Sequence, residues 1–523
     1  MGKYIVKRLL HGAVSVVIVT AIVMVMIYSM LDRSLVFTND AAFARQASNS
    51  RDTYSYGKWE QYGYLDYVTY QEWLSGLARS GEIDEETRAE AAKFGRKPEN
   101  DSELVAEYAA KFQEYYESQG YTFVRKNAKM NGRVPVTGGQ QIMFVYKDKP
   151  LTDRLVKYFT GLVYIDNIHR AEEVTGERGL TFTWHDPAYG GTKLSPAIIG
   201  NGTTHKYLLY VDNTFPYIHQ NFATIHLGES YSVNTGVDVF ETMTTSQGVQ
   251  VSSTVSYPTG LVEVSADDLH SAVYMKGSLE SSELNQQRFT DDYTSIGTVK
   301  NGYSKLGYSF IIGIISVIMA YVLGLPLGLV MSLNKDGLLD KIGTCYIIFI
   351  SAVPSLAYIF IFRGIGMKAF NLPGYFDVNT NGKAMYILPI VSLALPSVAN
   401  LMKWMRRYMI DQMNSDYVKF ARSGGLSERE IFTGHIMKNA AIPITHGIPG
   451  SVIFAMTGAI ITERIYTVPG AGGLLTTAIN KYDNGVIVGV TLFYAILSVV
   501  ATVLGDVLMA TVDPRISFTT KDR

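Results

Sequence analysis

Few residues in this chain have the spacing that covalent chemistry needs. No G-x-x-x-x-G-K-[ST] occurs, so the chain carries no P-loop for ATP. The single cysteine, Cys345, lies in an apolar run, which excludes an internal disulfide and a cysteine-based metal site. His169, His185, His205, His219 and His226 are scattered without metal-ligand spacing and read as structural histidines. The chemistry on offer is mechanical and electrostatic. The polar stretch from Asp416 to Pro443 predicts two short helices joined by a sharp turn. Ala421 and Gly425 can share a helix face as close-approach positions. Gly424 and Gly425 can take the positive φ that ends a helix. Ser427-Glu428-Arg429-Glu430 then reads as a capping box, and the helix after it carries Ile431, Phe432, His435 and Ile436 on one side, with Pro443 shortly beyond. Such a hairpin is a docking element if something meets it, and an ordinary surface hairpin if nothing does. Farther on, Glu463 and Arg464 end an apolar run and precede a Pro-Gly-rich turn, Val468-Pro469-Gly470-Ala471-Gly472-Gly473. Non-helical backbone at membrane depth is tolerated where it lines a cavity, which makes Glu463 a path-lining or gating candidate. A charge at a span end can equally reach out to the interface.

Elements of known reach must position these residues. Six segments are free of Asp, Glu, Lys and Arg: Leu9–Leu31, Leu306–Asn334, Ile342–Phe362, Ala384–Met402, Asn439–Thr462 and Asn484–Gly505. A spanning helix needs ~20 mostly apolar residues, so each is long enough or nearly so. The mean hydropathy is only +0.09, so a large polar region must dilute these spans. The sequence therefore predicts an α-helical polytopic membrane protein with six transmembrane helices. A large α+β insert, residues 33–304, falls between helices 1 and 2. At 523 residues the chain exceeds one compact core, and its net charge of −1 gives no argument for a nucleic-acid partner.

Lys and Arg set the orientation. Lys3, Lys7 and Arg8 precede the first span, Lys335 and Lys341 follow the second, and Lys403 to Lys438 form a basic stretch between the fourth and fifth. Arg515, Lys521 and Arg523 follow the sixth. Both termini and the loop 403–443 are thus expected in the cytosol, and the insert outside. Ala42-Phe43-Ala44 has the form of a signal-peptidase site, but the apolar run before it is too long for a signal peptide, so span one reads as an uncleaved anchor.

Within the insert, Tyr70–Arg79, Glu85–Phe94 and Ser102–Ser118 have helical composition. Gln141–Tyr146, Leu180–Trp184, Lys206–Val211, Val249–Ser256 and Leu261–Val264 read as strands. Arg154–Val163 is amphipathic. The spans themselves are interrupted. Span two holds Gly324-Leu325-Pro326-Leu327-Gly328, span three Ser351-Ala352-Val353-Pro354-Ser355, and span four Pro389 and Pro396. Small residues allow close helix approach and broken helices line cavities, so Pro326, Pro354, Ser355, Pro396 and Glu463 are the candidate translocation path.

The hairpin resembles the EAA loop of ABC-importer permeases in the form used by the peptide branch. The matching positions are Ala421, Gly425, Leu426-Ser427-Glu428 and Asn439-Ala440-Ala441-Ile442-Pro443. The pattern departs where Lys419 replaces the naming acid and Phe420 the first alanine. GLPLG, SAVPS, the Leu227-Gly228-Glu229-Ser230 stretch and the closing Asp513-Pro514-Arg515 resemble the same branch. Arg406-Arg407-Tyr408 and the long insert resemble its Ami type. The resemblance implies a type I ABC-importer permease fold. It divides the chain into 1–32 (cytosolic start and helix 1), 33–304 (extracellular domain), 305–512 (permease core with the coupling loop 403–443) and 513–523 (cytosolic tail). In the family, Phe420, Ala421, Gly425, Leu426, Ser427, Glu428, Ile431 and Pro443 would form the ATPase-coupling loop. It also implies a second permease subunit, two cytosolic ATPases holding ATP and Mg, an extracellular peptide-binding lipoprotein and a peptide substrate, with no cofactor and no catalysis in this chain. An importer for another solute (dipeptide, nickel or sugar) and a membrane sensor with an extracellular ligand domain remain the other readings. The sensor lacks a long cytosolic output segment, and a secondary transporter lacks the intramembrane ionisable residues it would use.

Overall fold

The apolar runs fold into helices, and the polar region after the first one folds into a mixture of helices and small sheets. The structure is a computed structural model. It describes residues 2–46, 50–95, 98–127, 141–165, 223–245, 303–378 and 382–512, and short stretches between 180 and 301. His169, His185, His205, Asp513, Pro514 and Arg515 lie outside the described residues.

Helix α1 (Gly2–Met30) is followed by α2 (Ala41–Arg45), α3 (Arg51–Gln61) and strand β1 (Leu65–Thr69). Thr69 and Glu72 form a capping box that starts α4 (Tyr70–Ser80). Then come α5 (Glu85–Ala91), α6 (Glu103–Glu117), β2 (Thr122–Asn127), β3 (Gln141–Asp148) and α7 (Leu151–Thr160). The sheet order is β1-β3-β2, antiparallel throughout, with Val145 opposite both Val68 and Phe123. Its central strand reads Ile142-Met143-Phe144-Val145, every one at most 2 % exposed. An unbroken apolar run is what a strand covered on both faces requires. Met143 and Val145 pack with Tyr70, Leu74 and Phe112. Ile142 and Phe144 pack on the other face with Tyr56 and Tyr67. Farther along, Val163–Ile165 pairs with Ala223–Ile225, and Leu180–Thr183, Ala197–Gly200, Lys206–Tyr210 and His219–Gln220 form a second antiparallel sheet. The strand expected over 249–256 is two: Val249–Gln250 pairs with Lys300–Asn301, whereas Ser253–Ser256 pairs with Val262–Ser265.

The remaining elements are α8 (Val239–Thr244), α9 (Lys305–Leu333), α10 (Leu338–Ala352), α11 (Ser355–Phe370), α12 (Ile387–Met413), α13 (Asp416–Ser423), α14 (Glu428–Glu430), α15 (Met437–His446), α16 (Ile448–Tyr466), α17 (Ala471–Asn480) and α18 (Asn484–Val512). Among the described residues, four helices are long and apolar enough to cross a membrane: Tyr4–Met30, Lys305–Leu333, Lys383–Met413 and Asn484–Val512. The third apolar run is not the single helix that composition alone suggested. It breaks between α10 and α11 with a bend of 117°. Pro354 has no N–H to give, and it pushes Val353 out of the helical region (Val353 ψ is 130°). The fifth run is also divided, between α15 and α16 at Gly447.

Exposed apolar side chains such as Leu10, Val14, Ile318 and Val322 stand on the outer faces of α1 and α9, as a lipid-facing surface demands. Inside, α9 and α12 pack closely. A Cβ at Gly324 would lie 2.8 Å from the Leu401 Cβ, and one at Gly328 2.7 Å from the Met402 carbonyl oxygen. These two glycines sit on one face and let the helix backbones meet, as the small-residue spacing predicted. Pro326 lies within α9, which continues through it.

Candidate functional site

The polar hairpin forms as a compact two-helix unit with its own core. Met405 and Met409 from α12, Val418 from α13, Ile431, Ile436 and Ala440 bury together. The turn rests on Gly425 alone, at φ +83°, whereas Gly424 keeps a negative φ of −77°. Because α13 ends at Ser423, Gly425 lies beyond the helix and does not extend Ala421's face. The capping box is present: the Ser427 N–H donates to Glu430 Oε2 at 2.9 Å, and the Glu430 N–H donates to Ser427 Oγ at 3.3 Å. The Ser427 hydroxyl also donates to Glu430 Oε2, at 2.6 Å, and together with the Ser427 N–H it holds the Glu430 carboxyl below its usual range. Arg422 Nε and Nη2 donate to the two Glu428 oxygens at 2.5 and 3.0 Å, tying the hairpin's arms and lowering the Glu428 pKa.

Two sequence expectations about this unit are corrected. Residues Ile431–Ile436 form a π-helix, so Ile431 and Ile436, five apart, share the buried face and His435 is exposed. Pro443 does not follow the helix but lies inside α15, which runs on to His446 while Ala440 and Ile444 are held in the hairpin core. Phe420 is 80 % and Leu426 42 % exposed. The hairpin therefore keeps its aliphatic core inside and turns one large aromatic and one leucine outward.

The hairpin is rooted by an ion pair the sequence did not flag. Arg406 on α12 donates from Nε and Nη2 to Asp340 Oδ1 and Oδ2, both at 2.6 Å. Asp340 lies on the first turn of α10. The same α12 carries Ser392, Pro396, Ser397 and Asn400, which line a cavity of 560 Å³ between α9, α11, α12 and α16. Of the expected path residues, the structure brings Ser355 and Pro396 together in this wall. Pro326, inside the continuous α9, and Pro354, at the break before α11, are not among the residues lining it.

Glu463 is 1 % exposed and does not line that cavity. Ser309 Oγ donates to its Oε1 at 2.6 Å, and the Gly473 N–H donates to Oε2 at 2.9 Å. Ser309 Oγ in turn accepts from the Ala471 N–H at 2.9 Å. The carboxylate thus caps the N-terminus of α17, where free N–H groups and the helix dipole favour an anion. Gly470 makes the approach possible, since a Cβ there would lie 2.3 Å from the carboxylate. The other end of α17 is fixed by Asp483, which is fully buried. It accepts from Ser230 Oγ and from the N–H groups of Tyr231, Ser232 and Val233 at 2.7–2.9 Å. Nearby, Asn484 Nδ2 donates to the Tyr64 hydroxyl at 2.9 Å and the Tyr62 ring stacks on Tyr231 at 3.8 Å. This joins the segment ahead of α9 to the turn between α17 and α18. Sequence reasoning missed Asp340 and Asp483. Their only signal was position: Asp483 directly precedes an uncharged run, and Asp340 is separated from one by Lys341 alone.

The family described as "Binding-protein-dependent transport system inner membrane component" matches residues 324–518. Over its whole length the chain is similar to the "Oligopeptide transport system permease protein AmiC" of Streptococcus pneumoniae, at 32 % identity across 100 % of this chain and 99 % of that protein. It is also similar to the "Dipeptide transport system permease protein DppB" of Lactococcus lactis, at 30 % identity over 43 % of this chain and 73 % of that protein. Among solved structures, a chain of the MetNI methionine ABC transporter in an inward-facing form covers 39 % of this chain at 13 % identity and a TM-score of 0.34.

Proposed function

The chain belongs to the binding-protein-dependent transport inner-membrane family and is a permease subunit of a peptide ABC importer; from that premise we propose that it is one of two six-span subunits moving oligopeptides inward. The observation that carries the reading is the full-length likeness to an oligopeptide permease, which extends through the insert as well as the apolar helices. On this reading the bent pair α10–α11 and the divided pair α15–α16 each supply one crossing. Both termini and residues 403–443 are cytosolic, and residues 33–304 are extracellular. The insert docks a peptide-binding lipoprotein. A second permease and two ATPases, which hold ATP and Mg, complete the assembly.

The mechanics follow from the contacts. Phe420 and Leu426 are the apolar contacts offered to the ATPase, with the rigid capped turn behind them. Movement of the hairpin is carried by its core of Met405, Met409, Ile431 and Ile436 into α12. α12 is continuous with the cavity wall at Pro396 and Asn400. The Arg406–Asp340 pair carries the same movement to α10, and so to the Pro354 bend. This chain binds no nucleotide and makes no bond. It converts a displacement at the membrane surface into opening and closing of the path.

The test is purification from the native membrane beside the double variant Ala421→Glu plus Gly425→Glu. The expected result is that two P-loop ATPases and a second permease accompany the native chain and that the ATPases are lost from the variant. A chain that purifies alone, or with a kinase, overturns the reading in favour of a sensor.

A further inference from the structure

The 560 Å³ cavity is lined from the charge-free runs, and the fold decides which of their polar groups face it. Among the described residues lining it there is no Asp, Glu, Lys, Arg or His. Its polar groups are hydroxyls and one carboxamide, chiefly Tyr321, Ser355, Ser392, Ser397, Asn400 and Ser451. Three charged residues on these helices meet other groups instead. Glu463 caps α17, Arg406 pairs with Asp340, and the Arg363 guanidinium lies 4.0 Å over the Tyr375 ring. Building from the peptide-importer reading above, we propose that this wall is blind to the charge of the peptide's side chains and engages its backbone, with Asn400 the position at which charge selectivity would arise.

Oligopeptides differ in side-chain charge and share a backbone of amide donors and acceptors. A fixed unit charge about 5 Å from a substrate charge, at an effective dielectric of ~20, changes its occupancy by roughly two orders of magnitude. Such a wall would trap one class of peptide and repel the other, and a path must also let its substrate leave. Hydroxyl and carboxamide groups donate and accept, so they can meet either kind of backbone group. They also have one another when the cavity is empty: the Tyr321 hydroxyl and Ser451 Oγ lie 3.2 Å apart across α9 and α16. Asn400 is exposed and sits one helical turn from Ser397 on α12.

The experiment uses the complete importer reconstituted in vesicles with its ATPases, second permease and binding protein. Two alanine-based peptides of equal length are compared, one bearing lysines and the other glutamates. The readout is the ratio of their saturating uptake rates, divided by the native ratio so that capture by the binding protein cancels. Asn400→Asp is expected to raise the lysine-to-glutamate ratio by about tenfold or more, and Asn400→Lys to lower it by a similar factor. Asn400→Ser should leave it within about twofold. Opposite shifts from two substitutions at one position cannot come from misfolding. If both Asn400 variants abolish uptake, Ser397→Asp and Ser397→Lys decide by the same ratio. Ratios that stay put, or move in the same direction for both charges, overturn the proposal. Failure of the native assembly to take up either peptide overturns the importer reading itself.

Discussion

Breaking the Arg406–Asp340 pair from each side in turn should have unequal effects. The Asp340 side chain is 4 % exposed and that of Arg406 29 %. Arg406→Met leaves a buried carboxylate with the Asp336 N–H, at 2.9 Å, and the charge of Lys335 as its remaining stabilising neighbours. Removing one partner of a buried pair costs about 3–5 kcal/mol. Asp340→Asn keeps one acceptor oxygen for the guanidinium, and the freed Arg406 can reach water, so its cost should be about 1–3 kcal/mol. The double variant removes the stranded charge, so it should be less destabilised than the sum of the singles by about 1–3 kcal/mol. The assay is reversible unfolding of the four proteins in mixed micelles, closed as a double-mutant cycle, with peptide uptake measured alongside. Uptake should fall more steeply than stability across the series if the pair carries motion from the hairpin to α10. Additivity within about 0.5 kcal/mol would refute the pairing. A larger cost for Asp340→Asn than for Arg406→Met would refute burial as its cause.

Asp483→Asn presents an N–H₂ group to donors that need an acceptor, so each bond lost should cost about 1–3 kcal/mol; limited proteolysis should then cut faster within residues 227–245. Gly470→Ala forces a Cβ against the Glu463 carboxylate and should cost about 1–3 kcal/mol, read as a lower unfolding midpoint. Gly425→Ala places a side chain at φ +83°, for about 1–2 kcal/mol; retention of ATPases on purification should weaken while membrane insertion does not change. Burial raises the carboxyl pKa of both Glu229 and Glu241, so folding favours their protonated forms. Their contribution is fully present below the unfolded value of ~4.3 and is lost as pH rises through the raised folded values. Glu241→Gln should therefore flatten that part of a plot of unfolding midpoint against pH, and an unchanged slope would refute the assignment.

Much of the hairpin was legible because its signals are local. A capping box spans four residues, and a turn needing positive φ asks for glycine wherever it falls, so Ser427, Glu430 and Gly425 could be read from spacing alone. Gly324 and Gly328 were legible for a similar reason: a helix repeat puts them on one face, and small size is their whole message. Composition over ~20 residues found the apolar runs, and residue type found the break at Pro354.

What the sequence could not decide depends on partners far away in the chain. Glu463 looked like a path residue because an acid at a span end has several uses. Only the fold brings Ser309 and the turn from Gly470 to Gly473 around it and makes it a cap. Asp483 finds its donors some 250 positions earlier, at Ser230 to Val233. Asp340 meets Arg406 across 66 residues. The shift to five-residue spacing at Ile431–Ile436, which puts both isoleucines in one cluster with Met405 and Met409 of α12, is likewise invisible to a helical-wheel argument. The sequence by itself determined which segments are apolar, where helices must stop and which turn closes the hairpin, because those depend on each residue's own shape and its nearest neighbours. The tertiary structure alone decided which carboxylates are buried, what neutralises them and which neutral groups face the cavity, because electrostatic cost is set by whatever the fold places within a few ångströms.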